Sequence, residues 1–167
     1  MDEILEYLKN YKGKQGLYII KPKSKDVLML ICNKLKYDYT SDIAYIGKAE
    51  LTKSSDLYIR SKQEMGWSNF EGATFVRKIG LYLDFDIKDK KNKSIRELTK
   101  NFICNNFMIE CLIIDGQIQK NETEKIQKLK PCLNNKKKNN LFNLHTLPFS
   151  ELTSFCICNV KLNNYAE

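Results

Sequence analysis

Apolar residues along this chain recur at two different spacings, and the switches between them mark out short helices and strands. Ile4, Leu5 and Leu8 fall at helical spacing behind Asp2, a capping residue type, and ahead of a break at Gly13, which predicts a short packing helix. Leu17 to Ile20 is apolar and partly β-branched and stops at Pro22, the pattern of a strand. Val27 to Cys32 is an unbroken apolar run, read as an extension of the same sheet. Ile43-Ala44-Tyr45-Ile46 predicts a further strand, stopped by Gly47. Strands joined by connections this short pair antiparallel.

Beyond residue 50 the helical spacing dominates. From Ser54 or Ser55 onward, Leu57, Tyr58 and Arg60 fit a helix with Asp56 in its first turn and Gly66 at its end. Trp67 to Gly72 reads as a loop. Phe75, Val76, Ile79 and Leu83 give a helix over 74–83, and a charged turn comes next at 88–93. Ser94, with Glu97 three residues on, forms a capping-box pattern for a helix over 95–104. Phe107 to Asp115 is the strongest strand signal in this half. Asn121 to Lys130 returns to helix, with Ile126 and Leu129 inward, Lys125 and Lys128 outward, and Pro131 ending it. A basic run, Lys136-Lys137-Lys138, precedes an apolar stretch, 149–162, expected to close over the core. No internal repeat and no long linker interrupts the pattern, so the expectation is one domain over 1–167, with its core at about 16–135 and a C-terminal extension at 136–167.

Composition narrows the class. A chain of 167 residues with 43% apolar content can bury one core unaided. Twenty-eight Lys and Arg against twenty Asp and Glu leave a net charge of +8, which favours polyanionic partners, nucleic acid first. Cys32, Cys104, Cys111, Cys132, Cys156 and Cys158 form no paired CxxC pattern, so reduced thiols in a cytoplasmic protein are expected. Cys156 and Cys158 would share one face of a strand, but a zinc site needs two more ligands, and the sole histidine, His145, lies apart from them. No apolar run reaches the roughly 18–20 residues of a membrane span.

The candidate chemistry lies in two tripeptides and in four single residues downstream of them. Gly16-Leu17-Tyr18 opens the first strand and Tyr45-Ile46-Gly47 closes a later one, each a weak signal alone. Downstream come Lys48-Ala49, the helical Arg60, and Glu124-Lys-Ile-Gln-Lys-Leu-Lys-Pro131-Cys-Leu-Asn134. In this order, and with the segment Ala73 to Gly80, the chain resembles the GIY-YIG nuclease superfamily over about residues 16–135, and more narrowly its stand-alone bacterial endonucleases. The resemblance implies an α+β fold with a small three-stranded antiparallel sheet flanked by helices, and hydrolysis of DNA phosphodiester bonds with one divalent metal, Mg²⁺ or Mn²⁺.

Such a hydrolysis needs an activated water, neutralised charge on the phosphate and a stabilised leaving oxygen. A single carboxylate suits Mg²⁺, which keeps most of its waters. By the resemblance Glu124 is the metal ligand, chosen over its neighbour Glu122 by its spacing to Pro131. Arg60 offers a planar, permanently charged fork to the phosphate, with Arg77 as the competing candidate. Tyr18 positions or deprotonates the water, helped by Lys48 or the metal, because an ordinary tyrosine ionises near pH 10. Tyr45 completes the network, and Asn134 orients the metal ligand's surroundings or contacts the phosphate.

Two features depart from the family. The position four residues after Arg60, often histidine or tyrosine, is Glu64, and the intervals from Tyr18 to Tyr45 and from Tyr45 to Arg60 are long. Such insertions are where target recognition is expected, with the stretches 21–42, 67–72 and 88–93 as candidates; Trp67 and Phe70 either stack or wedge against bases or are buried in the core. A restriction-type or mobile-element endonuclease fits a compact chain of this kind, with the homodimer open. The alternatives are a catalytically silent nucleic-acid-binding module of the same fold and a basic structural protein.

Overall fold

A computed structural model of the chain describes residues 2–68, 72–85 and 92–134. Strands β1 (Gly16–Pro22), β2 (Tyr45–Ala49) and β3 (Phe107–Ile113) form one antiparallel sheet in the order β2-β1-β3. Among the described residues six helices accompany it: α1 (Asp2–Lys9), α2 (Lys25–Leu35), α3 (Leu57–Glu64), α4 (Thr74–Tyr82), α5 (Lys93–Asn106) and α6 (Ile118–Leu129), the last succeeded by a 3-10 turn at Cys132–Asn134. The fold is the expected α+β class with a three-stranded antiparallel sheet. Phe70, residues 88–91, Lys136-Lys137-Lys138, His145, the 149–162 stretch, Cys156 and Cys158 lie outside the described residues.

β1 takes the centre because Gly16 to Ile20 can be buried on both faces, and all five are. β3 instead alternates, with Phe107, Ile109 and Cys111 buried and Met108 and Glu110 exposed, so one of its faces meets the core and the other meets water. The register sets Tyr18 opposite Gly47 on β2 and Cys111 on β3. Tyr18, Ile20 and Ile109 therefore share the face that joins Leu57, Phe75 and Phe107 in the core. Phe75 and Phe107 meet edge to face at 5.1 Å between ring centres.

Three local expectations are corrected. The apolar run Val27 to Cys32 is helical: Leu28, Ile31, Cys32 and Leu35 are its buried residues, spaced i, i+3, i+4 and i+7, while Met29 and Leu30 face outward. Strand β2 passes through Gly47 to Ala49 instead of stopping there. Helix α5 is capped by Asn92, whose side chain accepts from Ile95 N at 3.1 Å, so Ser94 lies inside the helix. Trp67 packs against the core.

Side chains blunt both edges of the sheet. At β3 the Cys111 N–H donates to the Tyr7 hydroxyl at 3.0 Å. At β2 the Asn134 amide behaves like one residue of a fourth strand, accepting from Ile46 N at 2.8 Å and donating to Ile46 O at 2.7 Å. The turn that carries it is docked beside β2 by Cys132 N to Ile43 O and Leu133 N to Ala44 O.

Two substitutions test this frame. A Cβ on Gly16 would lie 1.9 Å from the backbone oxygen of Leu112. Gly16→Ala should therefore lower unfolding free energy by about 3 kcal/mol, read as an earlier urea midpoint. Asn134→Ala leaves the Ile46 amide without its partners and should cost about 1–3 kcal/mol in the same assay.

Candidate active site

Helix α3 begins where Asp56 accepts from Ile59 N at 2.7 Å and, with its other oxygen, from Gly13 N at 2.8 Å. That double contact ties the helix to the entry of β1. Arg60 and Glu64, one turn apart, then share a helix face aimed at the sheet. Glu64 is fully buried, and four donors converge on it. Its Oε1 accepts from the Tyr18 hydroxyl at 3.1 Å, from Thr74 N at 3.1 Å and from Arg60 Nη2 at 3.4 Å. Its Oε2 accepts from Phe75 N at 2.7 Å. Thr74 and Phe75 supply the first N–H groups of α4, whose N-cap residue Ala73 has no side chain to satisfy them.

Tyr18 reaches Glu64 by lying across Gly47. A Cβ there would sit 2.3 Å from the Tyr18 hydroxyl and 2.4 Å from Cζ, so the second motif requires glycine for space. Tyr45 stands on the same pleat as Gly47, with its ring centre 6.4 Å from that of Tyr18. Burial, and next the Glu64 charge, holds the Tyr18 phenol well above its ordinary range. The same causes push Tyr45 up to about 12. Burial also raises the Glu64 carboxyl, against the pull of the two backbone N–H groups, Arg60 and Tyr18 toward the anion.

Arg60 bonds to the Gln63 side chain and donates from Nη2 to Gly72 O at 3.0 Å, leaving its side chain a quarter exposed at the edge of the cluster. Arg77, the competing candidate, is exposed on α4. Lys48 takes the pleat opposite to Tyr45 and pairs with Glu50.

The two glutamates of α6 part company. Residues two apart on a helix are separated by about 200°, so only one of them can face the sheet. Glu122, one turn from buried Ile118 and on the stripe of Ile126, is the half-buried one. Burial raises its carboxyl, Lys48 lowers it and Glu50 raises it, and its charge is felt by Tyr45. Glu124 points outward, its side chain 61% exposed and 4.0 Å from Lys120. The structure thus brings together Tyr18, Tyr45 and Arg60, and beside them Lys48 with Glu122, and it leaves Glu124 outside the group. Both polar atoms of the Asn134 amide bond the backbone of Ile46, so Asn134 holds β2. Glu64, which the sequence marked only as a departure, is the hub.

Among the described residues no three His, Cys, Asp or Glu side chains gather as a metal cage. The donor set at Glu122 is one carboxylate, with Glu50 beside it, and it fits Mg²⁺ or Mn²⁺ held mainly by water.

The raised tyrosines make folding sensitive to alkali. Above pH 10 the unfolded chain releases the Tyr45 proton, while the folded chain keeps it until about pH 12. That part of the stability is intact below pH 10 and is lost as pH rises to 12. Urea unfolding at stepped pH should show the fall, and Tyr45→Phe should reduce it.

A family model described as the GIY-YIG catalytic domain matches residues 16–149, which include the whole sheet and helices α2 to α6. No match was found among curated proteins or among solved structures. With both tyrosine motifs paired across one sheet and Arg60 beside them, the chain belongs to the GIY-YIG family of nuclease domains.

Proposed function

We propose that the protein is a metal-dependent endonuclease that hydrolyses DNA phosphodiester bonds, of the restriction or mobile-element type. The observation that carries this reading is the convergence of Tyr18, Tyr45 and Arg60 at one end of the sheet, with Glu122 half-buried across β2 from them. The net charge of +8 supports a polyanionic substrate.

Each group has a separate task. Arg60, partly exposed and braced by Gln63 and Gly72, presents its guanidinium to the scissile phosphate. The Tyr18 oxygen receives the attacking water, and Tyr45 flanks it. Lys48 lies among the acids Glu50 and Glu122 and balances their charge. Glu122, in place of Glu124, is the metal ligand in this reading. When bound, Mg²⁺ or Mn²⁺ would supply charge stabilisation for the phosphate and leaving oxygen. Asn134 serves by holding β2, and with it Tyr45, in register. One site cuts one strand, so double-strand cleavage would require a dimer or two successive nicks.

Supercoiled plasmid incubated with Mg²⁺, Mn²⁺ or chelator provides the test. Wild type should nick only with metal, Glu122→Ala and Arg60→Ala should lose at least about a hundredfold in rate, and Glu124→Ala should cut like wild type. Intact plasmid throughout, with salt-sensitive binding retained, would instead favour a silent nucleic-acid-binding module. Loss of cutting in Glu124→Ala but not in Glu122→Ala would reverse the metal assignment.

A further inference from the structure

We propose that Glu64 is a positioning residue for cleavage: its buried carboxylate takes the Tyr18 proton as a hydrogen bond, and so turns the phenol oxygen into an acceptor for the attacking water. The inference rests on the nuclease reading and adds a residue to its machinery.

Tyr18 O–H, Thr74 N–H, Phe75 N–H and Arg60 Nη2 are all donors, and all converge on Glu64. The ionised carboxylate, which carries acceptors only, matches this set of four donors. Tyr18 has a single hydroxyl proton, and it is committed to Glu64 Oε1 at 3.1 Å in a buried contact. Any further partner of that oxygen must therefore donate to it, as a water does. A hydrogen bond given to an anion in a water-poor site also polarises the phenol, making its oxygen a better acceptor.

The ring has little freedom to choose otherwise. It lies over Gly47, where even one added carbon would meet the hydroxyl at 2.3 Å, and Tyr18 as a whole is 1% exposed. The groups that face the carboxylate are Tyr18 from β1, Tyr45 from β2, Arg60 from α3 and the N-terminus of α4. Arg60 alone among them is cationic; its contact with Glu64 is the longest of the four, at 3.4 Å, and Gln63 and Gly72 O hold its guanidinium independently of Glu64.

Glu64 also caps α4, and that function alone predicts something different. A residue needed only for folding lowers activity whether or not Tyr18 has its hydroxyl. A residue acting through Tyr18 loses its effect once the hydroxyl is gone. The experiment is a double-mutant cycle on the full chain: wild type, Tyr18→Phe, Glu64→Gln and the double variant, with kcat and KM for plasmid nicking and circular dichroism as the check on folding.

Glu64→Gln should lower kcat by about tenfold to a hundredfold, as expected for a hydrogen bond to a charged group, with KM changed less than about threefold. In the Tyr18→Phe background the same substitution should change kcat by less than about twofold. Losses that multiply, or that fall on KM alone, would overturn the inference while leaving the nuclease reading in place. If Glu64→Gln does not fold, Glu64→Asp enters the same cycle, since it keeps the charge but shortens the reach to Tyr18. Wild type that cuts nothing with either metal overturns the nuclease reading, and this inference with it.

Discussion

Burying the Glu64 carboxylate is the constraint on which the rest of the site depends. Moving a carboxylate out of water costs several kcal/mol even after relaxation, and the cost is tolerable only where donors replace the lost hydration. Here they come from three separate elements: Tyr18 on β1, Arg60 on α3 itself, and the first two N–H groups of α4. Each donor also needs the acceptor. Helix α4 starts at Ala73, which cannot cap it, and Tyr18 is buried with a hydroxyl that must be satisfied. One charge therefore fixes the positions of a strand and two helices, and these carry two of the groups proposed to act on the phosphate.

Space and edge protection complete the arrangement. Gly47 is the empty position into which the Tyr18 ring folds, which gives the glycine of the second motif a steric reason independent of backbone torsion. Gly16 plays the equivalent part for the first motif, where the backbone of Leu112 passes too close for any Cβ. As an amide, Asn134 carries an acceptor and a donor on separate atoms, and so meets both backbone groups of one strand residue. Gly47 and Asn134 act on β2, which pairs with β1 in the register that sets Gly47 opposite Tyr18, and Gly16 acts on the other side of β1, where β3 passes.

Much of the site is legible in the order of residue types. The tyrosines, Arg60 and the sheet class emerge from motif order together with strand and helix spacing. Spacing to Pro131 selects Glu124 over Glu122, whereas the fold turns Glu122 toward β2, and a signal for that choice is present in the sequence. Ile126 and Leu129 are the inward residues of α6 by their spacing, and Glu122 lies one turn before Ile126 on that stripe, with Glu124 on the opposite side. Distance to Pro131 counts residues along the chain; helical phase decides which of them can reach β2. Val27 to Cys32 misleads for a related reason. Six consecutive apolar residues carry no period of their own, and Leu35, which completes the i+7 stripe, lies beyond the run.

By itself, the sequence determined most of the local geometry: which segments other than Val27 to Cys32 are helical or extended, and which side chains have the chemistry for a phosphate. The tertiary structure alone decided partnership. Glu64 lies 46 residues from Tyr18 in the chain, and nothing local says that a glutamate in the last turn of α3 will cap another helix and hold a strand tyrosine. The donors of a buried charge are chosen by how separate elements pack, since a carboxylate withdrawn from water must take whatever N–H and O–H groups the fold brings to it.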